Sequence, residues 1–489
     1  MTTPDGSGLL SPGLGYVDGR WTAADGRRTF PVTDPATGKV IAEVPRMGAA
    51  ETVRAIRAAE AAAPAWRRLS SGERSRLLRA WAALMIDNQQ ELARLLVREQ
   101  GKPLREATEE VRYAASFLDW FAEEGRRAYG EVIPPGLPGT RMTVVMEPVG
   151  VGACITPWNF PIAMITRKAG PALAAGCPIV LKPAEQTPLC ALAVCALGER
   201  AGIPAGVFNV VVGDSEDAAV IGRELTTRPE VRKISFTGST AVGSLLMGQA
   251  AGGVKSVSLE LGGNAPFIVF EDADLDLAVS AAVSAKFRNA GQACIAANRF
   301  LVADAVHDDF VAELARRAGA LRVGNGLDEG TDIGPLIDAA AVRKVGRHIT
   351  DAIGRGASLV VGGGPHSLGG TFVQPTVLAD CPLDADICCE ETFGPVAAVT
   401  RFSDEAEAVR SANDTPYGLA SYFFTRDTGR VWRVSEALQT GIVAVNTGAF
   451  SSPVAPFGGM KQSGLGREGG HEGIADWLES KYVCHGGVD

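Results

Sequence analysis

Apolar residues recur at helical spacing three times early in the chain, over residues 50–68, 72–99 and 104–127. Leu77, Trp81, Leu84 and Met85 share one face of the second stretch, and Val111, Ala114, Leu118 and Phe121 one face of the third, so both faces read as core. Gly130 and the Pro/Gly-rich IPPGLPG at 133–139 end this block, and the alternating RMTVVMEP that follows predicts an arm that pairs elsewhere. From 151 the period changes. Apolar runs VGACIT, PIVLK, VFNVVV and VRKISF alternate with helical segments near 162–175, 187–201, 215–225 and from 240. That alternation predicts a parallel, doubly wound α/β sheet, whose ligands lie beyond the C-terminal ends of its strands. A second alternating region, about 262–465, carries predicted strands at 265–270, 298–303, 396–402, 419–424 and 441–446. HEGIADWLESKYVCHGG, near the end, adds a short one.

A chain of 489 residues with 46% hydrophobic content holds two or three full cores, since single cores stop growing near ~250–300 residues. Net charge −9, from 47 basic against 56 acidic residues with no Lys/Arg run, argues against nucleic-acid and membrane surfaces. Small molecules and further copies of the chain are the expected partners. MTTPDGSGLLSPGLG lacks the basic and apolar regions of a secretory leader and the Arg-rich pattern of a transit peptide, so a cytoplasmic chain is expected. Pro157, Asn159 and Pro161 interrupt the longest apolar stretch, which therefore predicts no membrane span. The nine cysteines are odd in number and include no CxxC pair, indicating neither a zinc site nor a disulfide framework, and no metal is expected. Cys294 stands apart. In FRNAGQACIAANR it follows Arg288 and Asn289 among small and polar residues, where a packing cysteine would have large apolar neighbours. Its setting admits a nucleophile without establishing one.

Other stretches carry chemistry through their position. FTGST, 236–240, follows a predicted strand and opens a helix, so free N–H groups face an anion, Gly238 permits close approach and Ser239 offers a hydroxyl; a plain N-cap accounts for the same residues. In LKPAEQTP, 181–188, Lys182 and Glu185 stand at a strand edge, suited to ribose hydroxyls or to a surface ion pair. Asn159 of ITPWNFP is a neutral amide in a Pro-flanked turn, which serves an oxyanion site or the turn itself. Glu260 of LELGG lies in an apolar strand before two glycines, where desolvation raises a carboxyl pKa and makes a base, unless a cation pairs with it. The GxGxxG match at 464–469 has no strand before it and reads as chance.

Taken together, ITPWNFP, LKPAEQTP, FTGST, LELGGNAP, GQAC, EETFGP and PFGGMKQSGLGRE, in this order and spacing, resemble the aldehyde dehydrogenase superfamily from about Tyr16 to Tyr482. The resemblance implies an aldehyde dehydrogenase-like α/β fold with a doubly wound NAD-binding domain (1–130 and 149–261) and an α/β catalytic domain (262–465). It adds a small β oligomerisation arm with the C-terminal strand (131–148 and 466–489), making a homodimer or homotetramer. It implies Cys294 as the catalytic thiol, passing through a thiohemiacetal and a thioester. Asn159 and the Cys294 backbone N–H would hold the oxyanion, Glu260 would activate the hydrolytic water, and Lys168 would assist proton movement. Trp158, Lys182, Glu185, Gly238, Ser239, Glu391 and Phe393 are the implied cofactor residues. An anionic Glu185 beside the ribose accepts from a 2′-OH and repels a 2′-phosphate, so NAD is expected over NADP.

Within the superfamily, MITRKAG, KFRNAGQAC and NTGAFSSPVAPFGG are most similar to succinate-semialdehyde dehydrogenases, implying that Arg167, Arg288 and Ser451 bind a remote carboxylate. A guanidinium fork fits a sulfonate as well, and structural salt bridges are the competing use of the two arginines. The expected substrate is a short anionic aldehyde, succinate semialdehyde first, with glutarate or sulfonated semialdehydes and a broad aliphatic range as alternatives. Glu260 argues against a CoA-acylating reaction, and a thiol hydrolase or a non-catalytic relative is the remaining reading. Ala293 replaces a common Thr and enlarges the pocket, while Ala296 replaces a frequent second Cys and removes a disulfide partner. Phe450 adds bulk beside Ser451.

Overall fold

Residues 13–487 are described by the structure, a computed structural model. Residues 1–12, most of the stretch without a leader pattern, and 488–489, at the end of the predicted arm segment, lie outside the described residues. Five parallel strands form the centre of an eight-stranded sheet, in the spatial order Ser256–Glu260, Val231–Thr237, Val151–Ile155, Ile179–Lys182 and Phe208–Val210. Their nearly unbroken apolar sequences follow from burial on both faces; Val151–Ile155 and Ile179–Lys182 have no exposed residue. Strand order reverses at Val151–Ile155. The chain first adds strands on one side as far as Val210, then crosses over to add Val231–Thr237 and Ser256–Glu260 on the other. The crevice beyond Ile155 and Thr237 is therefore the switch point at which such sheets receive ligands.

The second sheet has seven strands, ordered Ser358–Val361, Thr376–Ala379, Val396–Phe402, Ala297–Ala303, Ala265–Val269, Ala420–Phe424 and Ile442–Val445. All pairs are parallel except the first. The alternating run becomes Thr140–Pro148, which pairs with Glu131–Ile133 and, along its whole length, with Leu478–Gly486, longer than the short strand expected there. Side-chain pattern locates this arm, but only the long-range pairing fixes its partner.

The predicted helix 72–99 is two helices, Ser71–Asp87 and Gln89–Gln100. Asn88 interrupts them by donating its side-chain amide to the Leu84 carbonyl at 2.7 Å, the local competition with the backbone that disfavours Asn inside helices. Helix Leu104–Glu124 stops three residues before the predicted end, and all of Ala163–Ala175, which packs against it, is buried. Among the described residues no helix is long and apolar enough to cross a membrane.

Candidate active site

A cavity of about 420 Å³ opens at the switch point and takes residues from the segments that connect strands of both large sheets, including Trp158, Asn159, Gly238, Ser239, Cys294 and Glu391. Cys294 reaches it through an unusual turn. Helix Leu275–Phe287 ends, and Asn289, Ala290 and Gly291 all adopt positive φ, 51°, 54° and 73°. The first two conformations cost free energy that surrounding hydrogen bonds must offset. Asn289 supplies several of these, donating from Nδ2 to the carbonyls of Asn159 (3.0 Å) and Gln292 (3.1 Å), accepting from Gln100 Nε2 (2.9 Å), and donating its backbone N–H to Glu106 (2.8 Å). A Cβ on Gly263 would lie 2.3 Å from the Cys294 carbonyl, so the close passage of the two chains requires glycine there. The half-buried thiol is pushed up to about 12 by desolvation and by the nearby Glu391 and Glu260 carboxyls, with Arg167 opposing.

Asn159 is held from the other side. Fully buried Lys102 pairs with Glu110, donates to the Asn159 carbonyl at 2.9 Å and lies 3.9 Å from the centroid of the Phe160 ring. Glu110 also accepts from the Ile162 N–H at 3.0 Å, fixing the next turn of chain. The Asn159 side chain spends one N–H on the Gln292 carbonyl (3.1 Å), which leaves its second N–H available, and the residue lines the cavity together with Cys294.

Tyr113, Phe160, Arg167, Arg288, Ser451 and Phe457 line the cavity's other end. Arg167 lies 4.1 Å over the Phe457 ring and places its Nη2 3.1 Å from a Glu468 oxygen, while its Nε makes no hydrogen bond. Arg288 stands 5.4 Å from the Phe160 centroid and has no carboxylate ion pair among the described residues. Phe450 turns away. It rests on Tyr422 at 5.5 Å between centroids and lines a small neighbouring crevice instead of the main cavity.

Glu260 and Lys168 do not line the cavity wall. Glu260 is 4% exposed, neither of its oxygens has a hydrogen-bond partner, and a Cβ on Gly458 would lie 2.7 Å from its Oε1. Burial, then the charge of Glu468, raises its pKa well above the carboxylate range. Burial also opposes ionisation of Glu468, but Lys168 and Arg167 outweigh it and hold that carboxyl low. Lys168 is committed there, donating to Glu468, to Thr237 Oγ1 at 2.8 Å and to Ser235 Oγ at 3.2 Å.

At the opposite end Ser239 caps helix Thr240–Ala251, accepting from the Val242 N–H at 3.4 Å, and the Trp158 and Phe393 rings meet edge to face at 5.4 Å. Glu391 accepts from the Gly263 N–H at 3.0 Å, and burial pushes it up to about 7. A Cβ on Gly262 would lie 2.9 Å from Glu391, so small residues keep this channel open. Lys182 and Glu185 form an ion pair of 3.3 Å; Glu185 lines an adjoining cavity that meets the first at Ile337 and Asp338. A dinucleotide fits this layout: aromatic rings and a carboxylate near the thiol, a helix N-terminus for phosphates, and a polar pair farther along.

The family model for the aldehyde dehydrogenase family matches residues 21–483. The chain belongs to the aldehyde dehydrogenase family. This aldehyde dehydrogenase is 59% identical to glutarate-semialdehyde dehydrogenase of Pseudomonas aeruginosa over 97% of each chain. It is 58% identical to 3-sulfolactaldehyde dehydrogenase of Pseudomonas putida, again over 97% of each. It is 57% identical to the NADP(+) succinate-semialdehyde dehydrogenase GabD of Escherichia coli, over 96% of this chain and 97% of that one. The crystal structure of succinate-semialdehyde dehydrogenase from Burkholderia pseudomallei superposes with a TM-score of 0.96 at 57% identity, covering 98% of each chain. The aldehyde dehydrogenase fold predicted from the seven stretches is thus present, and the protein is an NAD(P)-dependent aldehyde dehydrogenase.

Sequence reasoning passes over Lys102, Glu110 and Tyr113. A signal for two of them exists: Glu106, Glu110, Tyr113 and Phe117 follow helical spacing on helix Leu104–Glu124, and that stripe faces the site. The apolar stripe of the same helix is the stronger pattern and masks it.

Proposed function

We propose that this enzyme oxidises a short anionic aldehyde, with succinate semialdehyde as the leading substrate and NAD as the preferred cofactor. The supporting observation is the pair of arginines beside Cys294: Arg167 has a buried Nε without a hydrogen-bond partner beside its ion pair with Glu468, and Arg288 lacks an ion pair among the described residues. Buried unsatisfied donors are costly, and a carboxylate or sulfonate supplies what they lack. The names of the three relatives support an anionic head without choosing among four-carbon, five-carbon and sulfonated aldehydes. Initial rates with succinate semialdehyde, glutarate semialdehyde and butanal test the reading. Arg288→Ala should lower kcat/KM for the acids roughly 10- to 100-fold, the worth of a charge-assisted hydrogen bond, and leave butanal within about twofold. Equal losses for acids and butanal would make Arg288 structural.

In this reading the Cys294 thiol first gives up its proton to solvent, the thiolate attacks the aldehyde carbon, and the new oxyanion accepts from the free Asn159 N–H and the Cys294 backbone N–H. Lys102 and Glu110 keep that amide aimed. A bound nicotinamide supplies the two-electron acceptor for the hydride that leaves this carbon, and the sulfur is left as a thioester. Glu260, rotating out from beside Gly458, takes a proton from water, whose oxygen bonds to the carbonyl carbon as the carbon–sulfur bond breaks. Burial, and after it the charge of Glu468, hold the Glu260 carboxyl up against the opposing Arg167 and Lys168, so the base form fills only as pH rises.

Trp158, Gly238, Ser239, Glu391 and Phe393 would hold the cofactor's nicotinamide and pyrophosphate end, and Lys182 with Glu185 the adenosine ribose. Glu185→Ser should raise kcat/KM with NADP by about tenfold or more, because Lys182 then meets a 2′-phosphate without an opposing carboxylate. An unchanged NADP/NAD ratio would remove Glu185 as the determinant. The same reading gives a cytoplasmic homo-oligomer, with exposed Val132, Val145, Tyr482 and Val483 on the three-stranded arm as apolar surface for another copy.

A further inference from the structure

We propose that Tyr113 is a specificity-determining residue whose phenol donates to the remote anionic group of the substrate. This rests on the anionic-aldehyde reading above and adds a ligand from a fourth segment of the chain. Tyr113 lines the cavity together with Arg167, Arg288 and Ser451. Arg167 and Arg288 are close enough for their charges to act on its hydroxyl. Burial holds the phenol protonated, above its ordinary range, so it is a neutral donor throughout the working pH.

Position and packing make this assignment specific. On helix Leu104–Glu124 the turn before Tyr113 supplies Glu110 to the Lys102 clamp, and the turn after it supplies Phe117, whose ring lies 5.6 Å from the Arg167 guanidinium. The Tyr113 ring meets Phe117 edge to face at 4.8 Å, which packs one side of the ring. Arg167 already shares its charge with Glu468. A carboxylate or sulfonate entering here meets Arg288, a guanidinium with no ion pair among the described residues, and needs neutral donors to occupy its remaining lone pairs. Tyr113 and Ser451 are such donors, and an uncharged aldehyde tail makes no use of either.

The test is Tyr113→Phe, which retains the ring against Phe117, assayed with succinate semialdehyde and with butanal on the full-length enzyme. The expected result is a rise of about tenfold in KM for the acid with kcat nearly unchanged, the mark of a contact made equally in ground and transition states, and butanal kinetics within about twofold of wild type. Equal losses for both aldehydes would mean that the hydroxyl supports the wall and would overturn the assignment, as would unchanged acid kinetics. A wild-type enzyme that prefers butanal or treats the two alike would overturn the anionic-aldehyde reading itself. That outcome is read from the wild type alone. A thermal midpoint matching wild type separates loss of the contact from loss of the fold.

Discussion

Cys294→Ala should abolish aldehyde-dependent NAD(P)H formation, lowering kcat by about 10⁴-fold or more, the scale seen when an enzyme loses its nucleophile. Stability should hold. The thiol is half-buried on a turn whose geometry is fixed by Asn289, Gln292 and Gly263, none of which bonds to the sulfur. Steady-state assays with succinate semialdehyde and a melting curve check both halves. Residual turnover within about tenfold of wild type would remove Cys294 as nucleophile. A second expectation concerns the proton. Because burial pushes this thiol up to about 12 when no ligand is present, alkylation of the free enzyme by iodoacetamide should be slow at neutral pH and accelerate as pH rises.

Glu260→Gln should separate the two halves of the reaction. Attack by Cys294 and hydride loss need no base on the hydrolytic water, so about one equivalent of NAD(P)H per active site should appear as a burst. Steady turnover should then fall by roughly 10²- to 10⁴-fold, the range for general-base catalysis. Gln has nearly the same shape as Glu, and since neither Glu260 oxygen makes a hydrogen bond, the exchange breaks none. The pH profile supplies a second readout. A carboxyl with a raised pKa is protonated at low pH and becomes a base as pH increases, so wild-type kcat should climb with pH through that group's titration. Stopped-flow absorbance at several pH values tests this. A Gln variant that keeps wild-type turnover and the same rising limb would show that another group activates the water.

Much of the site is legible in the amino-acid order. ITPWNFP, LELGG, FTGST and GQAC offer a turn amide, a strand-end carboxylate, a helix-opening serine and a thiol, and folding brings Asn159, Ser239 and Cys294 to one cavity. Other residues are legible as types but not as positions. Glu260 reads as a desolvated carboxylate, and it is one, but it lies beside Gly458 and behind the cavity wall. Lys168 reads as a proton carrier near the site, yet its ammonium is bonded to Ser235, Thr237 and Glu468. Phe450, which reads as bulk in the substrate loop, rests on Tyr422.

The alternation of strand and helix, the turn-forming glycines and the kinds of chemical groups on offer all follow from the order of residues, because backbone preference and side-chain period act over a few positions. Which charges meet is a property of the folded chain. Glu468 reaches Lys168 across three hundred positions, Lys102 reaches the Asn159 carbonyl across fifty-seven, and the arm strand finds Leu478–Gly486 from the far end of the chain. Desolvation and ion pairing depend on distances through space, and those distances set the protonation of Cys294 and Glu260.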